Sequence, residues 1–134
     1  MRHINQPLNI IYINSAEKGP SGGIKTIYCH SNLINKLKLD NITSEILYIK
    51  KRKLSKWKSS IKKMFKIQSN EYYGWTTKDV TVIKNFKSKW LINNAKVKNN
   101  FRFDKKKDFI IFPEIFAHFA KRLCIQKKIP YAIF

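Results

Sequence analysis

The hydrophobic period changes sharply near the start of the chain. Leu8-Asn9-Ile10-Ile11-Tyr12-Ile13 is an almost continuous apolar run, the pattern of a strand buried on both faces. A polar loop follows over residues 14–23, and apolar residues then return at helical spacing, at Ile24, Ile27, Tyr28, Ile34 and Leu37. This spacing predicts a helix to about Lys38, with Ser21 as its N-cap. Asp40-Asn41 breaks the pattern, and residues 42–49 read as a second strand. Strand, helix and strand in that order make a right-handed crossover between parallel neighbours.

Residues 50–66 are the most basic part of the chain, with Leu54, Trp57, Ile61, Met64 and Phe65 at spacings of three and four. They predict a cationic amphipathic helix, packed on the sheet or laid in a membrane interface. An aromatic loop over 71–79, a short strand over 80–83 and a weak amphipathic segment over 86–97 follow. Regular order resumes with an apolar strand over 109–112. Pro113-Glu114 is then expected to open a helix, since Pro suits a first turn and an acid suits the positive helix end. That helix has Phe116, Ala117, Ala120, Leu123 and Cys124 as its core face, and residues 129–134 read as a last strand. No repeat is evident, and the alternation of strands and helices predicts a parallel α/β sheet.

A length of 134 residues is that of one domain, long enough to bury about two-thirds of its unfolded surface. The charge adds more: 28 Lys and Arg against 8 Asp and Glu give a formal net charge of +20. Such a field favours polyanions, whether nucleic acid, anionic lipid or phosphorylated ligands, although a lysine excess beside many Asn and Ile is also what a biased coding sequence gives. For a membrane or polyanion contact the sequence offers Lys50, Lys51, Arg52, Lys53, Trp57, Lys58, Lys62 and Lys63. A nucleic-acid-binding module is the alternative, with Trp57, Tyr72, Tyr73 and Trp75 set among lysines. No zinc-finger, helix-turn-helix or RNP signature accompanies them, and lysine outnumbers the arginine preferred for phosphate and base forks. Cys29 and Cys124 read as two buried thiols of a reducing compartment. With no apolar signal core and no apolar run near the length of about 18 that a transmembrane helix needs, the expected location is cytoplasmic, at most peripheral at the inner membrane face.

Candidate chemistry concentrates in the first loop, where three of the four glycines of the chain fall, Gly19, Gly22 and Gly23. Glycines before a helix let a ligand approach the amides of its first turn, and Lys25 there reads as a solvated helix lysine or, alternatively, as a cation for phosphate. The loop is neither a P-loop, which needs an adjacent Gly-Lys, nor a G-x-G-x-x-G fingerprint. No metal-ligand spacing is present, and His3, His30 and His118 are scattered.

Two stretches resemble a known family. IIYINSAEKGPSGGIKTIYCHSNLINKL, from Ile10, is similar to the opening of retaining, nucleotide-sugar-dependent glycosyltransferases of the GT-B type. Asp108-Phe109-Ile110-Ile111-Phe112-Pro113-Glu114-Ile115-Phe116, followed by Lys128-Ile129-Pro130-Tyr131-Ala132-Ile133-Phe134, resembles a later strand of the same domain and the strand that leads toward the cleft. The resemblance implies a Rossmann-like parallel sheet with flanking helices over residues 1–134, the acceptor-side half of a GT-B fold with a basic insertion near 50–68. It implies no covalently bound cofactor but a nucleotide-sugar donor, and as partners a glycan or lipid-linked acceptor and a donor-binding domain on a separate chain. Gly22 and Gly23 then match the loop over the donor diphosphate, with Ser21, Lys25 and Glu114 as cleft candidates. The donor domain's paired glutamates are not in this sequence, where Glu17, Glu45, Glu71 and Glu114 are the only ones. The expectation is therefore a truncated chain that is inactive alone.

Overall fold

The computed structural model describes residues 6–16, 22–52, 78–86 and 95–134. Its sheet contains β1 (Leu8–Ser15), β2 (Ile42–Lys51), β3 (Val80–Val82), β4 (Lys96–Lys98), β5 (Asp108–Phe112) and β6 (Tyr131–Ile133). Helix α1 (Gly22–Lys36) joins β1 to β2. The path through the sheet is β3-β2-β1-β5-β6, with β4 also on β2. All pairs are parallel except β2 with β3. The two short strands share one edge of β2, β4 along Glu45–Leu47 and β3 along Ile49–Lys51.

Counting only the parallel strands, the chain moves outward from β1 through β2 to β4, then returns to the other side of β1 for β5 and β6. This is a doubly wound order, compatible with a Rossmann-like α/β fold. Right-handed crossovers run in opposite directions must cover opposite faces, and the core divides accordingly. Tyr12, Ile46 and Tyr48 face α1 through Ile24, Ile27 and Tyr28. Ile11, Ile13, Leu47, Ile110 and Phe112 face the segment after β5 through Phe116, Phe119, Leu123 and Cys124.

Helix α1 runs antiparallel to its strands. Near its end Asn35 both donates to the Ser44 carbonyl (2.9 Å) and accepts from the Ser44 N–H (2.8 Å), while the Ser44 hydroxyl donates to Ser31 (2.9 Å). A turn and more earlier, Tyr28 meets Tyr48, ring centroids 6.4 Å apart. The helix stops at Lys36 because Lys38 turns left-handed, φ 47°, so Leu37 lies outside it at 56% exposure instead of joining the core face.

Other expectations need correction. Pro113-Glu114 opens a 3-10 helix (Glu114–Phe119) and a π-helical turn (Lys121–Ile125), not a regular α-helix. Lys50 and Lys51 continue β2 and do not begin a basic helix. The short strand after Asp79 is antiparallel, and the amphipathic segment ends in β4. The N-cap Ser21, the bulk of the basic segment and the aromatic loop over 71–77 lie outside the described residues. No described helix is long and apolar enough to cross a membrane.

At the amino ends of the strands one amide ties three of them together. Asn9 Nδ2 donates to Glu45 Oε2 on β2 (2.8 Å) and to Asp108 Oδ1 on β5 (3.2 Å), and Thr43 Oγ1 donates to Asn9 Oδ1 (3.1 Å). The Asp104 N–H donates to Asp108 Oδ2 (2.7 Å), and Lys98 Nζ lies 3.8 Å from Glu45. A one-residue slip on either side of β1 would break this set and expose the core face, so it fixes register. Asn9→Ala leaves two carboxylates without their shared donor. It should lower stability by about 1–3 kcal/mol, read as a lower urea midpoint at unchanged slope.

Candidate functional site

Strand order reverses between β1 and β5, and a doubly wound sheet leaves a crevice outside the carboxyl ends of the strands at such a point. The end of β1 leads toward Gly22, the first residue of α1, and the end of β5 leads directly to Pro113-Glu114. Residues some ninety positions apart in the chain are thus carried by neighbouring strand ends. Gly22, Gly23, Lys25 and Glu114 all belong to this end of the sheet.

Gly22 and Gly23 are exposed, and a Cβ placed on either would meet nothing within 4 Å. Neither packing nor a left-handed backbone requires glycine at either position. What their bareness does is open the first turn of α1, which carries no acidic side chain of its own. Thr26 donates to the Gly22 carbonyl (3.1 Å). Lys25 is exposed on α1, outside the arc that buries Ile24 and Ile27.

Glu114 is exposed, and its backbone N–H donates to the Phe134 carbonyl (3.1 Å) while the Phe134 N–H donates to Phe112 (3.0 Å). The turn after β5 is therefore laced to the end of β6, which holds the Glu114 backbone at the strand end. Lys50 and Lys51 end β2 and Arg52 follows it, all exposed. Arg52 is anchored by its N–H to Asp79 (2.7 Å) and by Nη2 to the Val80 carbonyl (3.4 Å). Lys53, Trp57, Lys58, Lys62 and Lys63 lie outside the described residues.

The sequence pattern missed Asn14. Read as the first loop residue, it lies within β1 and is only 2% exposed. Its Oδ1 accepts from the Ser15 N–H (2.9 Å), which fixes the amide orientation, and its Nδ2 makes no hydrogen bond among the described residues. Its register partner on β2 is Tyr48, whose hydroxyl is likewise buried. Burial, reinforced by the neighbouring Tyr28 hydroxyl, pushes the Tyr48 phenol far above its ordinary range, so it stays a neutral hydroxyl. The available signal was an Asn continuing the alternation of Ile10 and Tyr12 on one strand face.

A cavity of about 410 Å³ lies at the other end of β2, lined by Asn35, Lys38, Asp40, Asn41, Thr43 and Lys96 among others. It sits by the amino end of β2, away from the switch point. No group of three or more His, Cys, Asp or Glu among the described residues could hold a metal ion. Comparison with protein-family models, with curated proteins and with solved structures finds no match to this chain.

The two thiols differ, contrary to the expectation that both are buried: Cys29 is exposed on α1 and Cys124 is buried, and neither forms a disulfide. Burial pushes the Cys124 thiol up to about 11, opposed in part by Lys127. Being raised in the folded state, this group favours folding below its ordinary value of 9.0 and loses that contribution as pH rises toward about 11. At about pH 8 Ellman's reagent should modify Cys29 rapidly in the native protein, and Cys124 only after unfolding.

Proposed function

We propose that this chain is the acceptor-side domain of a GT-B-type glycosyltransferase, which passes a sugar from a nucleotide-sugar donor to a cell-surface glycan or lipid-linked acceptor. The observation that carries the reading is the convergence of its two family-like stretches on adjacent strand ends. The Gly22-Gly23 helix start follows β1, and Pro113-Glu114 follows β5, with the switch point between them. In this reading the first-turn amides of α1 stabilise charge on the donor diphosphate as the glycosidic bond to the leaving phosphate breaks. Glu114 stands on the side of the crevice that receives the acceptor. A donor-binding domain from outside these 134 residues closes the cleft. The cations Lys50, Lys51 and Arg52 at the same sheet end suit an acceptor held at an anionic membrane face.

Binding of uridine and guanosine diphosphate sugars to the ¹⁵N-labelled chain tests this reading. Saturable shifts at Gly22, Gly23 and Glu114, larger for a sugar nucleotide than for inorganic sulfate, are expected. Shifts confined to exposed lysines, equal for sulfate and erased at about 1 M salt, where screening acts within about 3 Å, would overturn it. Gly22→Val should weaken nucleotide-sugar binding at least about tenfold, some 1.4 kcal/mol. Its thermal midpoint should stay near that of the parent, because the added side chain enters open space.

A further inference from the structure

The polar side chains of this sheet are economical. Asn9 donates to two carboxylates and accepts from Thr43, and Asn35 uses both ends of its amide on Ser44. Ser31 and Ser44, both fully buried, bond to each other. Asn14 breaks this rule. It is more deeply buried than Asn9 or Asn35, yet its Nδ2 keeps both hydrogens without a partner among the described residues. A buried donor left so costs about 1–3 kcal/mol, and such exceptions concentrate where a structure serves a ligand.

The position of the exception is specific. Ile10, Tyr12 and Ala16 all pack in the α1-side cluster, so the alternation of the strand points Asn14 toward α1 as well. Because α1 runs antiparallel to β1, with Ser31 and Asn35 over the start of β2 and Tyr28 over Tyr48, its first turn overlies the carboxyl ends. Asn14 therefore faces the region where the first-turn amides of Gly22 and Gly23 begin. The buried Tyr48 Oη belongs to its register partner on the same face.

We infer that Asn14 is a ligand-binding residue whose Nδ2 donates to a phosphoryl oxygen seated between the end of β1 and the first turn of α1. The choice of an anionic oxygen follows from what surrounds the position. The Asn14 Nδ2 and the first-turn N–H groups are donors, and the ionisable side chains at the end of neighbouring β2 are Lys50, Lys51 and Arg52. The carboxylate of Glu114 belongs to the segment that covers the opposite face. An ionised acceptor forms stronger hydrogen bonds than a neutral one and draws on the helix dipole as well. A phosphate reaching this point can come from a nucleoside diphosphate or from a lipid-linked phosphate. The inference rests on the crevice being the ligand site, not on sugar transfer.

The test uses inorganic pyrophosphate, followed at the Asn14 side-chain NH₂ resonance of the full chain by ¹⁵N NMR. A saturable shift of that resonance is expected. Asn14→Leu should weaken pyrophosphate binding at least tenfold, with a modest fall in thermal midpoint, since the Ser15 N–H loses its acceptor along with the unpartnered donor. Asn14→Asp, which keeps the acceptor for the Ser15 N–H but replaces the donor with a negative oxygen, should abolish binding. An NH₂ resonance unmoved while lysine signals shift overturns the inference. So does an Asn14→Leu variant that is less stable but binds pyrophosphate as before, because Asn14 would then serve the fold. The wild-type resonance decides even if both variants fail to fold. Uridine diphosphate and a polyprenyl phosphate in bicelles, titrated in parallel, separate the two phosphate sources by which one moves the resonance. Nucleotide sugars that shift Gly22 and Gly23 but not Asn14 defeat this inference alone. Pyrophosphate that shifts Asn14 while nucleotide sugars bind no better defeats the transferase reading alone.

Discussion

A strand hydrogen-bonded to parallel neighbours on both sides cannot be reached from either by a hairpin, so each connection must cross a face of the sheet. In this chain β1 is that strand, with β2 on one side and β5 on the other. Right-handedness then leaves α1 on one face and the segment after β5 on the other, and burial of Ile11 and Ile13 on one side and Tyr12 on the other follows. The same constraint parts the two connections at the carboxyl end of β1. The switch point there is a consequence of topology before any side chain is placed at it.

Elements whose two faces are both buried were legible in the sequence, because continuous apolar runs such as Ile10 to Ile13 and Ile46 to Ile49 have few other uses. β1, β2, β5 and α1 follow from such runs and from one clear helical period. Short edge strands carry no comparable signal. β3 and β4 are three residues each, and what defines them is the split edge of β2, a tertiary fact. The segment after β5 misled for another reason. Its apolar spacing is helical, but a 3-10 turn and a π turn bury Phe116, Phe119, Leu123 and Cys124 as an α-helix would, so periodicity cannot separate them. Cys29 has an apolar neighbour in Tyr28, but lies beyond the buried arc of α1.

The candidate site was half legible. Glycines concentrated before a helix pointed to the start of α1, and a Pro-Glu pair after an apolar run pointed to the end of β5. Their meeting needed the strand order. Asn14 was hidden by a rule that ordinarily works, that an Asn after an apolar run ends the strand. Here the ladder continues through Ser15, and the Ala16 N–H still donates to Ile49 (3.0 Å), so Asn14 is carried into the interior with its acceptor satisfied by Ser15 and its donor open.

Charge is distributed along the strands in a way that net charge conceals. Asp40, Glu45, Asp104 and Asp108 gather at the amino ends of β2 and β5, where Lys98 and Lys107 pair with them and Asn9 bridges two of them. At the carboxyl ends the described acids are Asp79, whose carbonyl anchors Arg52, and Glu114, on the far side of β1 from the lysines of β2. Between them stand the start of α1 and Asn14, a set of donors with no anion of the described chain to meet. Carboxylates in so basic a protein are scarce, and Glu45 and Asp108 at the amino ends are engaged in holding register. A fold that gathers four of its six described acids at one end of a parallel sheet and orients donors at the other has a field more favourable to an anion at the carboxyl ends than net charge alone conveys.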